Sequence, residues 1–147
     1  MIKSTRAENV YNFVNAITSI TSLCSIYSQK PDEWSIGSWT YCFIQIVSDI
    51  PQNNSNVWYI NKQARVSFTI VCKDSLWSSD TPERVLGTVI DTITNNIVNQ
   101  WSNKKTHIDW LILCGIREDT VSPIFMDQNR HYIVKDYIFT YISLSDG

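Results

Sequence analysis

His131-Tyr132-Ile133-Val134-Lys135-Asp136-Tyr137-Ile138-Phe139-Thr140-Tyr141-Ile142-Ser143 decides the fold. The run is rich in β-branched and aromatic residues and has no Gly or Pro to interrupt a ladder, which predicts a long strand. Apolar side chains fall on both alternating sets. Tyr132, Val134, Ile138 and Ile142 share one; Ile133, Tyr137, Phe139 and Tyr141 share the other. A strand apolar on both faces is covered on both, by its own helices or by another subunit.

Working back toward the N-terminus, Ile108 to Ile116 reads as the preceding strand. Arg117 to Arg130 reads as an acidic loop interrupted by Pro123. A helix comes before them. Thr81 is its expected N-cap, Pro82 sits at N1, and Glu83 in the first turn complements the helix dipole. Val85, Leu86, Val89, Ile90, Ile93, Ile97 and Trp101 form its apolar stripe. Gly87 within it costs about 1 kcal/mol against Ala, so a close helix-to-sheet approach is expected there.

Arg65 to Cys72 and Tyr41 to Val47 read as two further strands. Between them lie a polar linker, Asp49 to Asn56 with Pro51, and the short apolar run Val57-Trp58-Tyr59-Ile60. The N-terminal segment reads as one helix. Val10, Phe13, Val14, Ile17, Ile20, Cys24 and Tyr27 recur at three- and four-residue steps, with Ser4 or Thr5 as N-cap and Pro31 as terminator. The expected fold is a single α+β domain over 1–147: a mainly antiparallel sheet of about four strands with two helices packed on one face.

Composition narrows the function classes. The 147 residues are 44% hydrophobic and 18% charged, enough for a core without disulfides or metal. Net charge is −2, and the longest basic cluster is Lys104-Lys105, which disfavours a general nucleic-acid binder. Cys24, Cys42, Cys72 and Cys114 lack the paired spacing of a zinc site and read as buried thiols in a reducing compartment. The N-terminus lacks the apolar stretch of a signal peptide, and no run reaches the ~18 apolar residues of a membrane span.

Chemistry finds little footing. His107, Cys114 and Asp109 have no convergent triad signature, because Asp109 and Cys114 would lie on opposite faces of one strand. Asp119, Asp127 and His131 read as a solvated loop rather than a metal site. The four glycines are isolated, so no phosphate loop is expected. The reading is therefore non-enzymatic, with no cofactor and no metal. Contact residues are better marked: Trp34, Trp39, Trp58, Tyr59 and Trp77 fall in or beside loops, where aromatic residues favour protein interfaces.

This layout resembles the tail terminator and tail completion (head-to-tail joining) proteins of tailed bacteriophages. The resemblance rests on the N-terminal helix and the turn Ser38-Trp39-Thr40 before Tyr41 to Val47. It continues through the long polar connection into Arg65-Val66-Ser67-Phe68-Thr69-Ile70, then the helix opened by Ser79-Asp80-Thr81-Pro82-Glu83-Arg84. The aromatic-rich Asp136-Tyr137-Ile138-Phe139-Thr140-Tyr141 completes it. It spans nearly the whole chain but is one of layout, without invariant binding motifs.

The resemblance implies a virion structural protein, assembled in the host cytoplasm, that forms a homo-oligomeric ring, commonly a hexamer. Such a ring caps the tail tube and joins it to neck or connector proteins, with DNA only passing through its channel and no membrane contact. Under it, the loops Ser48 to Lys62 and Arg117 to Arg130 face tube or neck, and Glu118, Asp119 and Asp127 line the channel. The alternative from the residues alone is a small intracellular adaptor or inhibitor that binds one protein partner.

Overall fold

The computed structural model describes residues 6–30, 40–51, 59–73, 81–98, 107–108, 111–127 and 130–144. Among these, three helices and seven strands follow the chain. They are α1 (Arg6–Asn15), α2 (Thr18–Thr21), β1 (Ser25–Tyr27), β2 (Thr40–Pro51), β3 (Tyr59–Lys73), α3 (Pro82–Ile97), β4 (His107–Ile108), β5 (Leu111–Val121), β6 (Phe125–Asp127) and β7 (Arg130–Leu144). The strands form one sheet in the order β1-β2-β3-β7-β5-β4, and β6 also pairs with β7. All pairings are antiparallel except β1 with β2, so the sheet is mixed. The α+β class is as expected; strand and helix numbers exceed the expectation of four and two.

β3 and β7 are the centre. They pair without a break from Tyr59–Leu144 to Lys73–Arg130. One alternating set supplies the core: Ala64, Val66, Phe68 and Ile70 of β3 and Ile133, Tyr137, Phe139 and Tyr141 of β7 cluster with Cys42 and Ile44 of β2. The helices bury their stripes on this face, through Val10, Phe13 and Val14 of α1 and Leu86, Val89, Ile93 and Ile97 of α3. Phe68 and Tyr137 meet edge to face at 5.3 Å, a geometry that adds to area burial. The Tyr137 hydroxyl lies 2.7 Å from Thr94 Oγ1 and so has a partner on α3.

The other alternating set builds the far face. Tyr41, Phe43 and Val71 are buried there, with Tyr27 and Tyr132 packed against them. The pairing register runs Tyr41–Val71–Tyr132–Phe125 across four strands. Tyr27 meets Tyr41 edge-on and Phe125 stacks on Tyr132. Both faces of the central strands therefore carry apolar clusters, as the doubly apolar alternation of His131–Ser143 requires.

α3 begins as expected. The Thr81 side chain accepts a hydrogen bond from the Arg84 amide, with Pro82 behind it. Three expectations need correction. The N-terminal helix does not run on to Pro31. It stops at Asn15, resumes for one turn, and becomes β1. Thr21 and Ser22 donate side-chain hydrogen bonds back to Thr18 and Ser19 carbonyls, the local competition that weakens helix continuation. The apolar positions Val10, Phe13, Val14, Ile17, Ile20 and Cys24 are nonetheless all buried.

The polar linker starting at Asp49 is strand through Pro51, paired with Gln63 and Lys62 beyond a register shift between Ile46 and Ser48. Proline is tolerated there because β1 covers β2 only at Tyr41–Phe43, which leaves this end of β2 an edge among the described residues. Tyr59 and Ile60 belong to β3 itself rather than to a separate run. Third, Gly87 does not mark a close approach: a Cβ built there meets nothing within 4 Å.

Candidate functional site

The region expected to be an acidic loop is the main departure from the sequence reading. Arg117 to Val121 continues β5, and β6 follows after Ser122–Ile124. Both run antiparallel along the same side of β7. Ser122 holds the break to β7. Its amide donates to the Val134 carbonyl and its Oγ accepts from the Val134 amide, each at 2.9 Å. Pro123 falls in the break, where no ladder hydrogen bond is lost. The result is a long hairpin with β6 and Arg130 at its tip.

That tip exposes apolar side chains on both faces. Val121 is 52% exposed, Ile124 36%, Phe125 47% and Met126 64%. Phe125 pairs with Tyr132 and therefore lies on the far face, while Met126 pairs with His131 and lies on the helix-packed side. Asp127 is exposed beside them. Among the described residues only two other large apolar side chains are exposed, Leu23 and Val47. Clusters of this kind on a folded surface mark contact sites.

The three acidic candidates do not come together. Glu118 forms an ion pair at 2.9 Å with Lys135, which is buried and also lies 5.6 Å from the Tyr137 ring centre. Asp119 forms one at 3.0 Å with Arg65. Glu118 aligns with the Ile116 side of β5 and Asp119 with the opposite side, so the two face opposite surfaces of the sheet. Asp127 stands apart on β6. A further polar cluster occupies the far face: Ser67 Oγ donates to Asp136 Oδ1 at 2.6 Å, and Thr120 Oγ1 to Oδ2 at 3.1 Å.

Trp34, Trp39, Trp58 and Trp77 lie outside the described residues, as do Asp109 and the cap candidates Ser4 and Thr5. Tyr59 opens β3 opposite Leu144. Of the candidate connection Ser48–Lys62, the described ends pair with each other. The tip residues were missed because Pro123 and the carboxylates dominate a reading of 117–130. The signal that finds them is the run Val121, Ile124, Phe125 and Met126 within a segment otherwise read as solvated.

Cys24, Cys42 and Cys72 are buried free thiols. Burial pushes the Cys24 thiol up to about 11. It pushes Cys42 well above its ordinary range, with Cys24 adding to the effect; the thiolate is the reactive form. Burial likewise raises the Tyr137 phenol. Among the described residues, no group of His, Cys, Asp and Glu is arranged to hold a metal ion, and no helix is long and apolar enough to cross a membrane.

An open groove of about 250 Å³ lies between the α2–β1 turn and the first half of α3, lined by Leu23, Arg84, Val85, Thr88 and Val89. It is smaller than the ~300–1,000 Å³ typical of small-molecule sites.

Comparisons with known proteins agree on the fold only. No family model matches the chain, and no curated protein matches it. A chain of the solved structure described as "Virion of native gene transfer agent (GTA) particle" has the same fold, with a TM-score of 0.65 at 9% sequence identity, over 94% of this chain and 95% of that one.

Proposed function

We propose that this chain is a structural component of a phage-like virion, and specifically a tail terminator or tail completion protein. Its copies would form a ring that caps the tail tube and joins it to the neck, with DNA passing through the channel. The observation that carries the reading is the shared fold with a gene transfer agent virion chain across nearly the full length of both. The exposed apolar hairpin tip supports it, since a virion part works through contacts with copies of itself and with neighbouring proteins. The mechanism is contact rather than catalysis, and the place of action is the virion, assembled in the host cytoplasm.

A channel lined jointly by Glu118, Asp119 and Asp127 is not part of the proposal. Two of the three are ion-paired and face opposite sides of the sheet. The connection between β2 and β3 remains the candidate for engaging tube or neck, and Trp34, Trp39, Trp58, Tyr59 and Trp77 remain candidate contact residues.

Mass in solution by light scattering, over a range of concentrations and then with isolated tail tubes, tests the reading. A hexamer-sized or larger species, free or on the tubes, supports a ring. A protein that stays monomeric in both settings counts against it and favours the single-partner adaptor.

A further inference from the structure

We infer that the β5–β7 hairpin tip of one copy seats in the α2–α3 groove of the next, joining subunits head to tail. The inference rests on the ring reading and names the contact that would build the ring. Of the six large apolar side chains exposed among the described residues, four stand on the tip and a fifth, Leu23, lies in the groove. One element thus projects apolar side chains and the other receives them. The groove offers Leu23, Val85 and Val89 as apolar walls, in a volume suited to one or two large side chains rather than to a metabolite.

Charge agrees with shape. Asp127 is exposed beside Met126 on the tip, and Arg84 lines the groove at the start of α3. Opposite charges at the rim of an apolar contact set register and suppress wrong pairings more than they add affinity.

Position in the sheet separates the two elements. β6 lies outside β7, whereas Leu23 lies two residues before β1 at the other edge. Four strand spacings, about 19 Å at ~4.8 Å each, separate the edges. The tip and the groove are therefore two different patches of the surface. A contact between different patches is heterologous, and repeated around a rotation axis it closes a ring. Two tips meeting each other would instead give an isologous dimer.

The test uses the full chain with Met126→Cys and Thr88→Cys, singly and together, under mild oxidation, with wild type as the control for native thiols. Head-to-tail seating predicts a ladder of covalent multimers in the double variant and none in either single variant. Cross-linked dimers from M126C alone, or no cross-link in the double variant, would overturn the inference.

Charge reversal provides the second measurement. D127R and R84D should each raise the concentration for half-assembly at least tenfold, and together restore it to within threefold. Unchanged helical circular dichroism would show that each variant still folds. No rescue in the combined variant overturns the pairing. Wild-type rings without the cross-link overturn this contact and leave the ring reading standing. Cross-linked open chains without rings keep the contact and overturn the ring.

Discussion

The middle of β7 and its first residues belong to one strand with one alternating pattern, yet they have opposite fates. Tyr137, Phe139 and Tyr141 are sealed under α3 and against β3. At Arg130–Tyr132 the strand still pairs with β3, but its other neighbour is β6, whose three residues are all exposed. Alternation of side chains is a property of the strand, but burial is a property of what packs on it. Where the helical layer covers the sheet, an apolar set becomes core. At the tip, apolar residues on both faces become a surface for another molecule.

The largest test of that contrast is in the covered region. Phe68→Ala should cost about 3–5 kcal/mol, read from the urea unfolding midpoint, because Phe68 is fully buried against Tyr137. A cost below 1 kcal/mol would mean that the β3–β7 centre is not the packed core.

Alkaline pH should act on the same region. The folded-state value for Cys24 is raised from an ordinary 9.0 to about 11. The unfolded chain therefore releases its proton first as pH rises. Stability is fully present below about 9 and is lost as pH climbs through about 11, on the order of 3 kcal/mol for this group. Cys42 shifts in the same direction through burial. Urea midpoints measured from pH 8 to 11 check the sign; a flat profile would mean that these thiols reach solvent.

Two smaller effects refine the boundary between helix and sheet. Gly87→Ala should stabilise by about 1 kcal/mol, since open space meets the added methyl and helix propensity improves. A loss on thermal melting would restore the close-approach reading. Tyr137→Phe should cost about 1 kcal/mol by leaving the Thr94 hydroxyl without its partner.

The smallest stability effect belongs to the tip. Met126→Ser should change the monomer's unfolding free energy by less than about 0.5 kcal/mol, because the side chain is 64% exposed. Light scattering should nevertheless show weaker assembly. A large loss of monomer stability would show that the tip is part of the fold rather than a contact surface.

Local chemistry made some elements legible. Thr81-Pro82-Glu83 marks the α3 start because capping and proline act within a single turn. The apolar positions from Val10 to Cys24 were read correctly even though their path was not, but Tyr27 packs on the opposite face of the sheet, beside Tyr41. The break after Asn15, the side-chain competition from Thr21 and Ser22, and the pairing of β1 with β2 separate the two paths. The β5–β6 segment was misread for a different reason. Carboxylates and Pro123 suggest solvent, but Glu118 and Asp119 find cations on β7 and β3 that are distant in sequence.

The sequence by itself determined the α+β class, the start of α3, the doubly apolar final strand and the absence of paired cysteine motifs. These follow from periodicity, capping and spacing, which act over a few residues. The tertiary structure decided the mixed strand order, the break at Ser122–Ile124, the ion pairs of Glu118 and Asp119, and the exposure of the tip. Each depends on which strand lies beside which, and pairing between residues tens of positions apart is set by the burial of the whole sheet rather than by any local pattern.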